Sequence, residues 1–109
     1  MFKLIVFVPG SHVEQVMDAM FAAGAGRQGA YDRCAWRTEG VGQFRPSAAS
    51  NPYLGTIGTV ERVPETRVEM LCDREHIAAA VDALLAAHPY EEPAYEAIRV
   101  LQRADIAGL

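Results

Sequence analysis

Cysteine is scarce: Cys34 and Cys72 are the only two in 109 residues, and no CxxC unit or second pair accompanies them. That excludes a disulfide framework and a cysteine-built zinc site, leaving two small buried hydrophobes in a reducing cell. Histidine is equally sparse, and His12, His76 and His88 are too dispersed to supply the cluster a two-metal centre requires. No excess of either charge is present. A formal net charge of -4 gives neither the signature of disorder nor the electrostatic footprint of a nucleic-acid or anionic-membrane binder. Long hydrophobic runs are also missing. The apolar stretch at 2–8 is far shorter than the roughly 20 residues of a membrane span, and a cleavable signal needs a longer apolar region with a cleavage site. Neither nucleic acid nor membrane is an expected partner, and the expected location is cytoplasmic.

What remains is a chain that is 50% apolar, long enough to bury one core without staples. A single domain over 1–109 is expected, its core at about 1–101 and a tail at 102–109. The run Phe2-Lys3-Leu4-Ile5-Val6-Phe7-Val8 reads as a strand closed by Pro9-Gly10, with Phe2, Leu4, Val6 and Val8 on one face and Ile5 and Phe7 on the other. A strand apolar on both sides belongs in the middle of a sheet. Ser11 and Glu14 fit a capping box opening a helix, whose stripe is Val13, Val16, Met17, Met20 and Phe21. A second strand is expected at 34–38. A third at 66–72 turns Val68, Met70 and Cys72 inward. Asp73 caps a second helix with the stripe Ile77, Val81, Leu84, Leu85 and His88, and residues 94–101 close as a fourth strand with Ile98 and Val100 on one face.

Two segments resist that simple reading. Gly24-Ala25-Gly26-Arg27-Gln28-Gly29 spells GxGxxG, but a helix precedes it, whereas the dinucleotide fingerprint needs a strand before and a helix after. A helix C-cap and a positive-φ turn account for its glycines. Residues 40–65 are too long for a structureless loop, so short ordered pieces or a β-ribbon are expected, tied down by Phe44, Tyr53 and Ile57. Arg45 stands out there, either as an anion contact or as a solvated surface residue.

Chemistry concentrates in His88-Pro89-Tyr90-Glu91-Glu92-Pro93, where the second helix must end. Each proline fixes its own φ and keeps the preceding residue out of the α region, so His88 and the carboxylates ride on a stiff, extended connection. His88 also continues the helix stripe and suits a helix C-terminus without further purpose. Glu91 and Glu92 are adjacent and point to opposite sides of an extended chain, so only one of them serves a given site.

The order strand, helix, strand, strand, helix, strand defines an α+β, ferredoxin-like βαββαβ sandwich with a long connection between its second and third strands. Two helices cover one face of such a sheet. Ile5 and Phe7, beside Leu71, would then form an apolar patch on the other, which points to self-association.

The residues also carry a resemblance. Gly24-Ala25-Gly26, Gly29-Ala30-Tyr31, Gly40-Val41-Gly42-Gln43-Phe44-Arg45-Pro46, Asn51-Pro52, Glu65 with Arg67 and Glu69, and above all His88-Pro89-Tyr90-Glu91-Glu92-Pro93-Ala94 succeed one another over nearly the whole chain. This series resembles the small insert domain of the Nif-three-like family and its stand-alone YqfO-like bacterial relatives. The resemblance implies a fold similar to the trimeric PII signalling proteins and the CutA copper-tolerance proteins, and hence a homotrimer. Full-length members carry a two-metal site in a separate main domain and some are labelled GTP cyclohydrolase homologues. That domain has no counterpart here, so neither its metal site nor its chemistry carries over.

A small-ligand-binding or regulatory module, rather than an assembled catalyst, is therefore the leading reading, with His88, Tyr90, Glu91, Glu92, Phe44 and Arg45 as candidate ligand contacts. No residue is assigned a catalytic role, and the ligand is unspecified. The alternative is a divalent-metal binder or small metal-dependent enzyme using His88 with Glu91 or Glu92, although two ligands are too few for a closed site. A purely structural assembly domain is the third.

Overall fold

The computed structural model describes all residues, 1–109. A strand β1 (Phe2–Pro9) passes through a short 3₁₀ turn (Gly10–His12) into helix α1 (Val13–Ala22). Strands β2 (Trp36–Phe44) and β3 (Glu61–Cys72), helix α2 (Ile77–Ala87), strand β4 (Tyr95–Arg99) and a short helix α3 (Arg103–Ala107) follow. The four strands form one antiparallel sheet in the order β2-β3-β1-β4, so each helix connects two parallel strands that hold a third between them. This is the ferredoxin-like βαββαβ arrangement.

Alternation along the central strands decides what each face buries. Leu4, Val6 and Val8 of β1 and Val68, Met70 and Cys72 of β3 point to the helices, where they meet Val13, Val16, Met17 and Met20 of α1 and Ala80 and Leu84 of α2. Ala25, just after α1, is buried with them, and the Gly26 amide donates to the Leu71 carbonyl to fasten this turn to the sheet. Gly24 has φ +109, and a Cβ there would lie 2.3 Å from the His76 ring, so the turn needs glycine for both conformation and space.

Several local expectations change. Helix α1 begins two residues after Ser11, whose hydroxyl meets His12 Nδ1 instead of capping, because a 3₁₀ turn carries the chain off β1. The second strand is not 34–38 but starts at Trp36 and runs to Phe44, while β3 starts at Glu61, so the two ends of 40–65 pair as a ribbon and 45–60 is the connecting loop. In α2 the buried line passes through Ala80, Leu84 and His88 at steps of four, which turns Leu85 outward. Strand β4 ends at Arg99, and Ile98 faces the helix-free side beside Lys3. Residues 102–109, expected as a tail, contain α3, opened by reciprocal Gln102 and Asp105 capping contacts.

The helix-free face departs most from expectation. Ile5 is only 3% exposed in the single chain, because it sits at the sheet's centre between the side chains of Glu69 and Glu96, its neighbours in register. Phe7 is half-buried. The apolar surface left on this face comes from its outer strands, with Trp36 67% and Ile98 44% exposed.

Candidate functional site

At one end of the helix-free face, the loop at 45–60 and the segment after α2 enclose a cavity of about 300 Å³. The loop is ordered by its own contacts. Ser50 Oγ donates to the Ser47 carbonyl at 2.7 Å, the Gly58 amide to the Pro46 carbonyl at 2.8 Å, and Pro46 is buried. The Asn51 amide then reaches across to the Glu91 carboxylate at 3.1 and 3.2 Å, which ties the loop to the His88-Pro89-Tyr90-Glu91-Glu92-Pro93 segment.

Aromatic rings form the inner wall. Phe44 and Tyr90 lie 5.8 Å apart between centroids and Tyr53 and Tyr90 6.4 Å apart, with Phe7 from β1 completing the wall. Tyr90 Oη donates to Glu65 Oε2 at 2.8 Å, and Glu65 in turn lies against Gly42, where an added Cβ would come within 2.0 Å of Oε1. Burial, followed by the bond to Glu65 and that carboxylate's charge, drives the Tyr90 phenol well above its ordinary value, so it remains a neutral donor.

His88 stands behind this wall. It is 6% exposed and does not line the cavity. Nε2 bonds the Phe7 carbonyl at 2.7 Å, and Nδ1 accepts the Tyr90 amide at 3.1 Å. A carbonyl only accepts and an amide only donates, so the ring is the neutral Nε2–H tautomer, with both nitrogens engaged. Its place at the helix exit follows from sequence: α2 delivers it to the core side, and Pro89 forbids continuation of the helix.

The structure thus brings Phe44, Arg45, Tyr90, Glu91 and Glu92 together around one cavity and sets His88 apart as the residue that positions Tyr90. Sequence reasoning did not name Glu65 as a ligand contact, because its signal is a partner, Gly42, on another strand. It named Tyr53 only as a tether, and Ile57, named beside it, is 52% exposed. No three His, Cys, Asp or Glu side chains are grouped so that they could hold a metal ion.

Fold and site together define a PII/CutA-like α+β domain with a ligand-sized cavity beside its sheet. No family model matches the chain. Among curated proteins it is 43% identical over 107 residues to a Mycobacterium leprae protein named GTP cyclohydrolase 1 type 2 homolog, covering 98% of this chain and 28% of that one. A Halalkalibacterium halodurans protein of the same name is 38% identical over 109 residues, covering 100% of this chain and 29% of its own length. Among solved structures, a Bacillus cereus protein related to NIF3 superposes with a TM-score of 0.80 at 37% identity, over 93% of this chain and 26% of that one. The divalent cation tolerance protein CutA from Archaeoglobus fulgidus superposes with a TM-score of 0.66 at 17% identity, over 94% and 86% of the two chains, a likeness of fold alone. The chain is homologous to part of these YqfO/NIF3-like proteins, and it spans less than a third of the length of the curated relatives it matches.

Proposed function

We propose that the chain is a small-ligand-binding module with a regulatory role, and that its ligand occupies the cavity walled by Phe44, Arg45, Tyr90, Glu91 and Glu92. The observation that carries this reading is how the cavity is built. Three stretches distant in sequence, at 43–54, at Glu65 and at 90–94, converge on it and are cross-tied by the Asn51–Glu91 and Tyr90–Glu65 hydrogen bonds. Such a mostly preformed concavity, apolar and aromatic inside with a few convergent polar groups, is the usual form of a small-molecule site. Occupancy has a route outward, since displacing Glu91 would release the loop at Asn51.

The same reading includes self-association through the helix-free face, with three copies as the number that the PII and CutA resemblance implies. The exposed Trp36 and Ile98 support it. Native mass spectrometry of protein purified from cells tests the binding function. A co-purified small molecule, released on denaturation and absent from a folded Phe44→Ala variant, is the expected result. A ligand retained by that variant would move the site elsewhere.

A further inference from the structure

We propose that the ligand of this cavity is a small organic cation, an ammonium group carried on a flat aromatic body. The inference rests on the binding reading above and adds to it the ligand's charge.

Charge inventory is the first argument. Glu65, Glu91 and Glu92 line the cavity against Arg45 alone, three carboxylates to one guanidinium. None of the four takes part in an ion pair: those of the chain are Arg33–Asp18, Arg37–Glu14, Arg67–Glu69 and His76–Asp73. The three carboxylates therefore have no cationic side chain paired with them. Glu65 receives only the neutral Tyr90 hydroxyl on Oε2, while its Oε1 packs towards Gly42. Glu91 receives only the neutral Asn51 amide. Hydrogen bonds from neutral donors orient a carboxylate and leave its charge for something else to balance.

The second argument is what the wall offers. The rings of Phe44, Tyr53 and Tyr90 line the cavity with Glu65, while Phe7 already has the Arg67 guanidinium 5.7 Å from its ring centroid, and ring faces attract cations through their quadrupole. An aromatic ligand body would meet the same rings by offset or edge-on stacking. Aromatic faces and carboxylates reinforce one another for a cation and oppose one another for an anion. Arg45 is solvent-exposed at the rim, so an anion held there would also face Glu91 and Glu92.

Three probes that share a 4-hydroxyphenyl-ethyl frame and carry a positive, neutral or negative end test this on the full chain: tyramine, 4-ethylphenol and 3-(4-hydroxyphenyl)propionate. Amide chemical shifts of Asn51, Tyr90, Glu91 and Glu92 are followed during each titration. Tyramine is expected to shift these amides saturably and to bind at least about ten-fold more tightly than the propionate. Glu65→Gln and Glu92→Gln should each weaken tyramine several-fold and leave 4-ethylphenol unchanged. Glu65→Gln keeps an acceptor for the Tyr90 hydroxyl, and the amide spectrum itself reports folding; the exposed Glu92 position supports the test independently. Tighter binding of the propionate at these amides, lost in Arg45→Ala, would overturn the cation assignment and leave the ligand site standing. No shift from any of the three would overturn both.

Discussion

His88 grips the carbonyl of Phe7, 81 positions earlier in the chain, through Nε2 at 2.7 Å. The bond joins the exit of α2 to the central strand β1, and the other ring nitrogen then fixes the Tyr90 amide. The cavity wall therefore stands on a buried imidazole that no ligand needs to touch.

Truncation at this position should cost stability. His88→Ala leaves the Phe7 carbonyl and the Tyr90 amide without their partner and opens a void, a loss of about 2–3 kcal/mol and roughly 10 °C or more in Tm. Thermal denaturation followed by circular dichroism measures it. A variant as stable as the parent would show that the bond is incidental.

Acid should act through the same ring. Burial holds the His88 pKa below its ordinary 6.5, opposed by the bond to Phe7 and the Glu65 charge and assisted by the His12 charge. The unfolded chain therefore takes up this proton at higher pH than the folded one. The stability that His88 contributes is complete above about pH 6.5 and is lost as pH falls below it. Urea denaturation between pH 8 and 5 should show that decline, and His88→Gln should flatten it.

Gly42 sets the position of Glu65. A methyl group at residue 42 would meet the end of a flexible side chain, so Gly42→Ala should leave the fold intact and push the carboxylate off Tyr90. Freed of that bond, the Tyr90 phenol ionises at lower pH. Ultraviolet difference titration of the tyrosines detects the change, and an unaltered titration curve would mean that Glu65 does not hold the hydroxyl.

Association can be checked by light scattering on a size-exclusion column. A mass near three times 11.9 kDa is expected at micromolar concentration, and 11.9 kDa would reject self-association. Ile98→Glu, at an exposed position outside the core, should dissociate the assembly without unfolding it.

The order of elements was legible because β-branched runs and 3.6-residue stripes mark β1, α1 and α2 unambiguously. Boundaries were less so where backbone pairing overrode composition. Glycine and proline are poor strand formers, yet the ladder runs through Gly40, Gly42 and Pro64, with Pro64 opposite Val41. Ile5 looked exposed because alternation assigns a face but says nothing of the long side chains flanking a central strand. In the site, Phe44, Arg45, Tyr90, Glu91 and Glu92 were visible as unusual residues in unusual segments. Glu65 was not, since its environment is made by residues 42 and 90, on other parts of the chain.

Strand β2 has a consequence of its own. It pairs with β3 on one side only, so along nine residues its other backbone edge finds no strand within this chain. Arg37 and Glu39 put charge near its start, but Gly40, Val41 and Gly42 beyond them offer neither charge nor bulk to turn away an incoming segment. An edge of this kind is a template for any extended peptide of matching length. Variants that lose whatever normally covers it should therefore precipitate by strand addition while their own core is still folded.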